Sequence, residues 1–134
     1  MPHVSRYPIE KDVYFQIIDG FNWLLTDIKS EATMKLFIYD FFTKTERIML
    51  AKRLAVALMI SKGYETNLIK QVLKVSTATV YRIREWVERG GKGLQMGLNK
   101  LAHQEKTNQF WKKVNDFLDI NLSRSSIRPR IPKG

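Results

Sequence analysis

The stretch of sequence that decides the fold is LKVSTATVYR, which runs from Leu73 to Arg82. The apolar residues at and just before its start are Leu68, Ile69, Val72 and Leu73. Their spacing predicts a short helix with one buried face. Ser76 is placed to accept hydrogen bonds from the first amides of a following helix, as an N-cap residue does. The stretch therefore predicts two helices joined by a tight turn.

The second of these helices has two unlike faces. Val80, Ile83 and Val87 are spaced as an inward apolar stripe. The opposite face begins with small residues and becomes polar further along; on or beside it lie Thr77, Ala78, Tyr81, Arg82, Glu85 and Arg89. Such a helix can enter a DNA groove with its N-terminal end. The alternative is an ordinary helical hairpin whose polar face is only solvated.

The turn position Lys74 often holds glycine in motifs of this kind. If the backbone there is left-handed, Lys costs roughly 1 kcal/mol or more relative to Gly. We expect a phosphate contact by the long side chain to offset part of that cost.

The charge of the chain is strongly positive and unevenly distributed. The 134 residues contain 23 Lys and Arg against 13 Asp and Glu, a net charge of +10. Residues 1–43 have a net charge of −2 and residues 44–134 a net charge of +12. The positive charge therefore accompanies the two-helix motif and indicates a nucleic-acid partner, although an anionic membrane surface or an acidic protein would attract it too.

Several classes of protein are disfavoured. The chain has no cysteine, so a disulfide framework or a Cys-based zinc site is excluded. His3 and His103 are far apart in sequence, and we expect no metal site, no cofactor and no catalytic set of base, nucleophile and orienting residue. The first residues lack the apolar core of a signal peptide, and no apolar run is long enough to span a membrane, so we expect a cytoplasmic protein without a membrane partner.

The chain is expected to form one all-α domain. Apolar spacing predicts a long helix from Val13 to Ile28 and a second capped by Ser30, with more apolar face than two helices can bury. Thr43 and Glu46 form a capping box that should start a central helix ending at Gly63. The expected segments are N-terminal helices (1–43), the central helix and two-helix motif (44–98, second motif helix about 76–89), a C-terminal amphipathic helix (99–122) and a disordered basic tail (123–134).

The sequence leaves the roles of two segments open, a glycine-rich loop and the C-terminal tail. The glycine-rich stretch 90–93 is expected to be a mobile basic loop, more plausible as a connector than as a phosphate cradle. The tail contains Arg124, Arg128, Arg130 and Lys133 and no acidic residue. It is equally suited to lying in a minor groove and to a merely solubilising role.

Several of these segments together resemble one known family. The segments are FTKTER (42–47), LAKR (50–53), GY (63–64), Leu73 and ATVYR (78–82). Over roughly residues 37–90, and without a gap, the chain resembles the Trp repressor superfamily, especially its TrpR-like YerC/YecD branch. The resemblance implies a Trp-repressor-like helical domain with a helix-turn-helix, in which the N-terminal helices of two chains interlock into a homodimer.

The resemblance also implies roles for individual residues. In that family the second helix of the motif enters the major groove and the first crosses the DNA backbone. The implied base contacts are Thr77, Ala78, Thr79 and Tyr81, and the implied phosphate contacts are Asn67 and Lys70. We add Lys74, Arg82 and Arg84 as phosphate contacts because of their charge. Tyr81 is larger than the residue usual at its place, so the preferred bases should differ.

The tryptophan pocket of the family is only partly matched. Thr43, Arg53 and Arg82 match its positions, whereas Ile83 and Trp86 stand where the pocket needs Gly and a small Ser. Ile83 also belongs to the inward stripe, and a branched side chain and an indole cannot share one close-packed site. We therefore expect these five positions to form a vestigial pocket that binds no tryptophan.

The leading hypothesis is a dimeric bacterial transcriptional regulator that binds a near-palindromic double-stranded operator in the nucleoid and has no catalytic activity. A second hypothesis is the DNA-binding module of a transposition or replication protein, although no P-loop is present. A third is a basic interaction protein that docks RNA or an acidic partner. Binding to random duplex, titrated against salt, separates the third hypothesis from the other two.

Overall fold

The computed structural model describes residues 8–124, with side chains as far as Ile120. Within this range it is all-helical, as predicted, and contains no strand. Its α-helices are α1 (Lys11–Asp27), α2 (Glu31–Phe41), α3 (Lys44–Ser61), α4 (Thr66–Leu73), α5 (Thr77–Arg89), α6 (Lys92–Ala102) and α7 (Asn108–Arg124), with a 3-10 turn at Glu105–Thr107 before α7.

The chain divides into two compact units, Met1–Leu50 and Ala51–Gly134. In the first unit the predicted caps are confirmed. Ser30 Oγ accepts a hydrogen bond from the amide of Thr33 at 3.4 Å. Thr43 and Glu46 form the reciprocal capping box, with distances of 2.9 and 3.1 Å. These bonds satisfy amides that the first turn of a helix leaves without partners, so α2 and α3 begin where the sequence predicts.

The corner between α2 and α3 is fixed by Arg47. Its guanidinium donates to the carbonyl oxygens of Tyr39 and Phe42 at 2.8 and 2.7 Å and lies 4.5 Å from the centroid of the Tyr39 ring. Both carbonyls belong to the end of α2, where backbone acceptors lack helical partners. Despite this order, neither α1 nor α2 contains a buried residue.

The second unit holds the hydrophobic core. In the second half of α3 every residue from Val56 to Ile60 is buried. The other helices of the unit contribute Leu68, Ile69, Val80, Ile83, Leu98, Val114 and Leu118. Tyr64, just before α4, stacks on Trp111 of α7 with ring centroids 5.7 Å apart, and burial raises the pKa of its hydroxyl above the usual range.

The C-terminal part differs from the prediction in two places. The predicted helix 99–122 begins inside α6, because the chain breaks between α6 and α7; the buried Thr107 caps the break by donating to the carbonyl oxygens of Leu101 and Gln104. The predicted loop 90–93 is only two residues long. Gly90 adopts a left-handed φ of 62° that ends α5, and Gly91 already caps α6. Residues 125–134, most of the predicted tail, lie outside the described residues.

Two kinds of feature are absent from the described part of the chain. None of its helices is both long and apolar enough to cross a membrane. In the same part, no three acidic or histidine side chains come together as metal ligands.

Candidate nucleic-acid interface

The two helices predicted from the opening stretch are α4 and α5, and a short turn joins them. Lys74 ends α4 in a left-handed conformation, with φ 54° and ψ 54°. Ser76 then caps α5, since its Oγ accepts from the amide of Thr79 at 3.1 Å. The predicted cap is confirmed, and the left-handed backbone at Lys74 is the condition under which Lys is less favourable than Gly.

The inward stripe of α5 is also confirmed. Val80 is fully buried, Ile83 is 6% exposed, and Val87 packs against the same core from a half-buried position. Full burial of an aliphatic side chain contributes about 1.5–3 kcal/mol. The stripe therefore fixes which face of α5 is free to meet a partner.

The free face carries the residues that the sequence assigned to base contacts. Ala78 is exposed and Tyr81 is 59% exposed, while Thr77 and Thr79 are half-buried. The hydroxyl of Thr79 lies 2.9 Å from Ser76 Oγ and so takes part in the cap. Ala78 and Tyr81 are consequently the most accessible of the four.

Two side chains from other helices contact the turn residue Lys74. Lys52 of α3 donates from Nζ to the carbonyl oxygen of Lys74 at 3.3 Å. The ammonium of Lys74 itself lies 5.9 Å from the centroid of the Phe117 ring. Lys74 is the sole residue other than glycine with a positive φ among those described, and these contacts act at the point where the backbone is strained.

Arg84 joins α5 to the start of α4. Its guanidinium donates to Thr66 Oγ1 at 3.1 Å, and Thr66 is the first residue of α4. Asn67 is exposed beside it, and Lys70, half-buried, lies three residues further along and on the same side of the helix. Of the predicted phosphate-contact residues, two lie in α4 itself, Asn67 and Lys70. A third, Arg84 of α5, is bonded to the first residue of α4. Arg82 is exposed on α5.

The positions predicted to form a vestigial pocket are divided between the units. Thr43, in the first unit, serves as a helix cap. In the second unit the guanidinium of Arg53 lies 5.4 Å from the centroid of the Trp86 ring, which connects α3 to α5. Ile83 is in the core and Arg82 is exposed. The aromatic ring that lies near the Arg53 guanidinium is therefore that of Trp86, a residue of the protein itself.

Sequence reasoning missed Lys52, Thr66 and Phe117 as partners of the motif. Their contacts join residues that are 18 to 43 positions apart along the chain. One sequence feature could have indicated such contacts. Lys52 and Arg53 lie together in the more polar first half of α3, whose second half is apolar. That pattern indicates a polar role but does not name the partner.

Comparison with known proteins identifies a family. The profile described as "Trp repressor protein" matches residues 17–102, more than half of the chain and a wider range than the sequence segments alone suggested. No curated protein and no solved structure showed significant similarity. The chain therefore belongs to the Trp repressor protein family, a family of non-enzymatic, helical DNA-binding regulators.

Proposed function

We propose that the protein is a sequence-specific double-stranded DNA-binding regulator of the TrpR-like YerC/YecD type, in which α4 and α5 act as a helix-turn-helix. The observation that carries this proposal is the capped start of α5, with small and polar side chains on its free face and a buried stripe behind it. In this arrangement α5 enters the major groove and α4 crosses the backbone. Membership of a DNA-binding family supports it.

The first turns of α5 contact the bases. Thr77, Ala78, Thr79 and Tyr81 are the base-contact residues, because they lie at the N-terminal end of the helix and off its buried stripe. Ala78 and the Thr methyl groups suit contact with the methyl group of thymine. Tyr81 adds a large accessible side chain with a polar hydroxyl.

Replacing Tyr81 by Ala should relax base preference at one position of each half-site. A good base contact contributes about 1–3 kcal/mol of discrimination, so the ratio of affinities for matched and mismatched duplexes should fall by roughly tenfold or more. Competition binding with single-base variants of the selected duplex measures this. Replacing the exposed Glu88, on the last turn of the same helix, by Ala is the control; equal losses in the two variants would contradict the assignment.

The DNA backbone is held by Asn67, Lys70, Lys74, Arg82 and Arg84. The N-terminal end of α4 carries Asn67 and the Arg84–Thr66 hydrogen bond, and amides at a helix N-terminus favour an anion. The net charge of +12 on residues 44–134 supports a phosphate-binding role for this part of the chain.

Replacing Lys70 by Ala should weaken binding to all duplex sequences alike. Removing one phosphate contact reduces the slope of log K against log salt by about 0.9, so a dimer that loses two should show a slope smaller by about 1.8. Binding to specific and random duplexes across a salt series measures the slope. Lys35→Ala removes the same charge from α2, where Lys35 pairs with Glu31, and should leave the slope unchanged; an unaltered slope in Lys70→Ala would show that Lys70 contacts no phosphate.

We infer that the working form is a homodimer interlocked through the N-terminal helices. The apolar face of α1 continues from half-buried Phe21 and Leu24 to exposed residues near its start, and α2 exposes further large side chains. The most exposed are Ile17, Trp23, Leu36, Tyr39 and Phe41, each between 56 and 67% exposed. Monomeric proteins rarely expose contiguous apolar surface on this scale, which favours a second copy as its partner.

The second unit contributes a further apolar surface to the proposed dimer. A groove of about 420 Å³ lies between α3 and α6, and it is lined by Leu54, Gly93, Leu94, Gly97, Leu98, Lys100, Leu101 and Gln104. The glycines leave open space along α6, since an added Cβ at Gly93 or Gly97 would meet nothing within 4 Å. Such a groove fits the apolar face of a helix from the other copy.

We further propose that tryptophan is not a corepressor of this protein. Ile83 fills its core position, and Trp86 covers Arg53. Both contacts connect α5 to other helices of the second unit through side chains of the protein. These contacts then hold α5 in place, and DNA binding requires no small molecule.

Selection of bound duplexes from a random pool, followed by footprinting, tests the proposed function. The expected result is a near palindrome whose half-sites lie about 34–36 Å apart, one turn of DNA. In the cell the protein would then act at the nucleoid, in the cytoplasm. Enrichment without symmetry would favour a single-copy DNA-binding module of a transposition or replication protein. Binding to RNA or to acidic protein without binding to duplex would overturn the proposal.

A further inference from the structure

The helix α7 lies outside the residues matched by the family profile, yet it is part of the core of the second unit. Val114 is fully buried and Leu118 is 3% exposed. Near its start Trp111 stacks on Tyr64, just before α4, and two turns later Phe117 lies beside Lys74, just after α4. Contacts in this order mean that α7 runs along α4 in the same direction and passes the turn at Phe117.

The turn is the one place in the described chain where a residue other than glycine is left-handed. A left-handed L-residue is strained, because its Cβ approaches the backbone too closely. Two side chains from other helices meet Lys74 here: Lys52 bonds its carbonyl oxygen at 3.3 Å, and the ring of Phe117 faces its ammonium at 5.9 Å. A cation near the face of an aromatic ring is attracted to it, so Phe117 favours the conformation that places Lys74 there.

We propose that α7 is a positioning element for the turn, and that the contact between Phe117 and Lys74 sets the orientation of α5 relative to α4. The effect on DNA rests on the proposed function. Base contacts demand that α5 be held within fractions of an ångström, whereas phosphate contacts by flexible cations do not. Removing the Phe117 ring therefore reduces specific binding more than binding to random duplex.

A double-mutant cycle tests the proposal on the full chain with Phe117→Leu, Lys74→Gly and the double variant. Leucine keeps an apolar side chain but removes the ring, and glycine adopts a left-handed φ without strain. In the parent background, Phe117→Leu should lower the ratio of specific to random-duplex affinity by about two- to fivefold. In the Lys74→Gly background the same change should leave that ratio unaltered, because no strained lysine remains to be held.

The control is Phe110→Leu, since Phe110 is a half-buried phenylalanine of the same helix that packs on Trp111. It should leave the affinity ratio unchanged in both backgrounds. Urea unfolding of all variants provides the matching readout, with a coupling of about two- to fivefold in the unfolding equilibrium constant between positions 74 and 117.

Two results would overturn the proposal. If the two substitutions have additive effects on the affinity ratio and on unfolding, Phe117 contributes only to packing and does not act through Lys74. Equal reductions in affinity for specific and random duplexes would show that the contact does not orient α5. In both cases the parent protein still binds its selected duplex, so the proposed function stands. If the parent binds no duplex at all, the proposed function itself fails and this inference fails with it.

Discussion

Replacing Ile17 by Glu is expected to abolish the homodimer and to lower affinity for a two-half-site duplex by at least about a hundredfold. Linking two binding modules raises overall affinity by about 10²–10⁴ over one module, and this gain disappears when the copies separate. Ile17 lies on the apolar face of α1 and is 56% exposed in the single chain. A carboxylate there is solvated in the monomer but would be buried without a partner in the dimer.

The control for this prediction is the neighbouring residue. Gln16 is exposed and lies off the apolar face of α1, so Gln16→Glu adds the same charge one position away. We expect it to remain dimeric by sedimentation equilibrium and to bind the duplex as the parent does. If Ile17→Glu also sediments as a dimer, the apolar face of α1 is not the interface between copies.

The parts of the fold that the sequence predicts are those built from residues close together in the chain. The box formed by Thr43 and Glu46 spans three residues, and so does the bond from Ser76 to the amide of Thr79. Helical periodicity likewise predicts the buried stripe of α5, because the 3.6-residue repeat follows from backbone geometry alone. Local chemistry decides these features before any tertiary contact is made.

The parts that the sequence does not predict depend on helices meeting in space. The bond from Arg84 to Thr66 joins residues 18 apart, and the contact between Phe117 and Lys74 joins α7 to the turn after α4. Charge alone assigned Arg84 and Lys74 to phosphate, yet both side chains also have protein partners. Both residues therefore have a structural role beside the proposed phosphate contact, and a count of basic residues cannot reveal it.

The break between α6 and α7 is another feature that the sequence does not predict. Apolar residues lie on both sides of it, and the whole C-terminal amphipathic helix is predicted within residues 99–122. The chain ends α6 at Ala102, and the buried hydroxyl of Thr107 adds a side-chain hydrogen bond to the carbonyl oxygens of Leu101 and Gln104, which also accept from backbone amides at the break. Threonine is common in exposed positions too, so its residue type gives no sign of this capping role.

Replacing Ile83 by Ala is expected to lower the free energy of unfolding by about 2–4 kcal/mol. Ile83 is 6% exposed and packs in the core of the second unit with Val80. Removing its outer carbons loses buried apolar surface and leaves a cavity that the surrounding helices fill only in part. Urea unfolding monitored by circular dichroism measures the change. Tyr81→Ala removes a larger side chain from the exposed face of the same helix and should cost much less.

The same residue decides whether tryptophan can act as a ligand. Because Ile83 is buried in the core and the Trp86 ring lies near Arg53, we expect calorimetry of the parent protein to show no uptake of tryptophan at micromolar concentration. DNA affinity should likewise be the same with and without tryptophan. Saturable micromolar binding would mean that these side chains move aside at little cost, which the roughly 2–4 kcal/mol expected for Ile83→Ala argues against. If neither measurement responds to tryptophan, the proposal predicts that DNA occupancy follows the concentration of the protein itself.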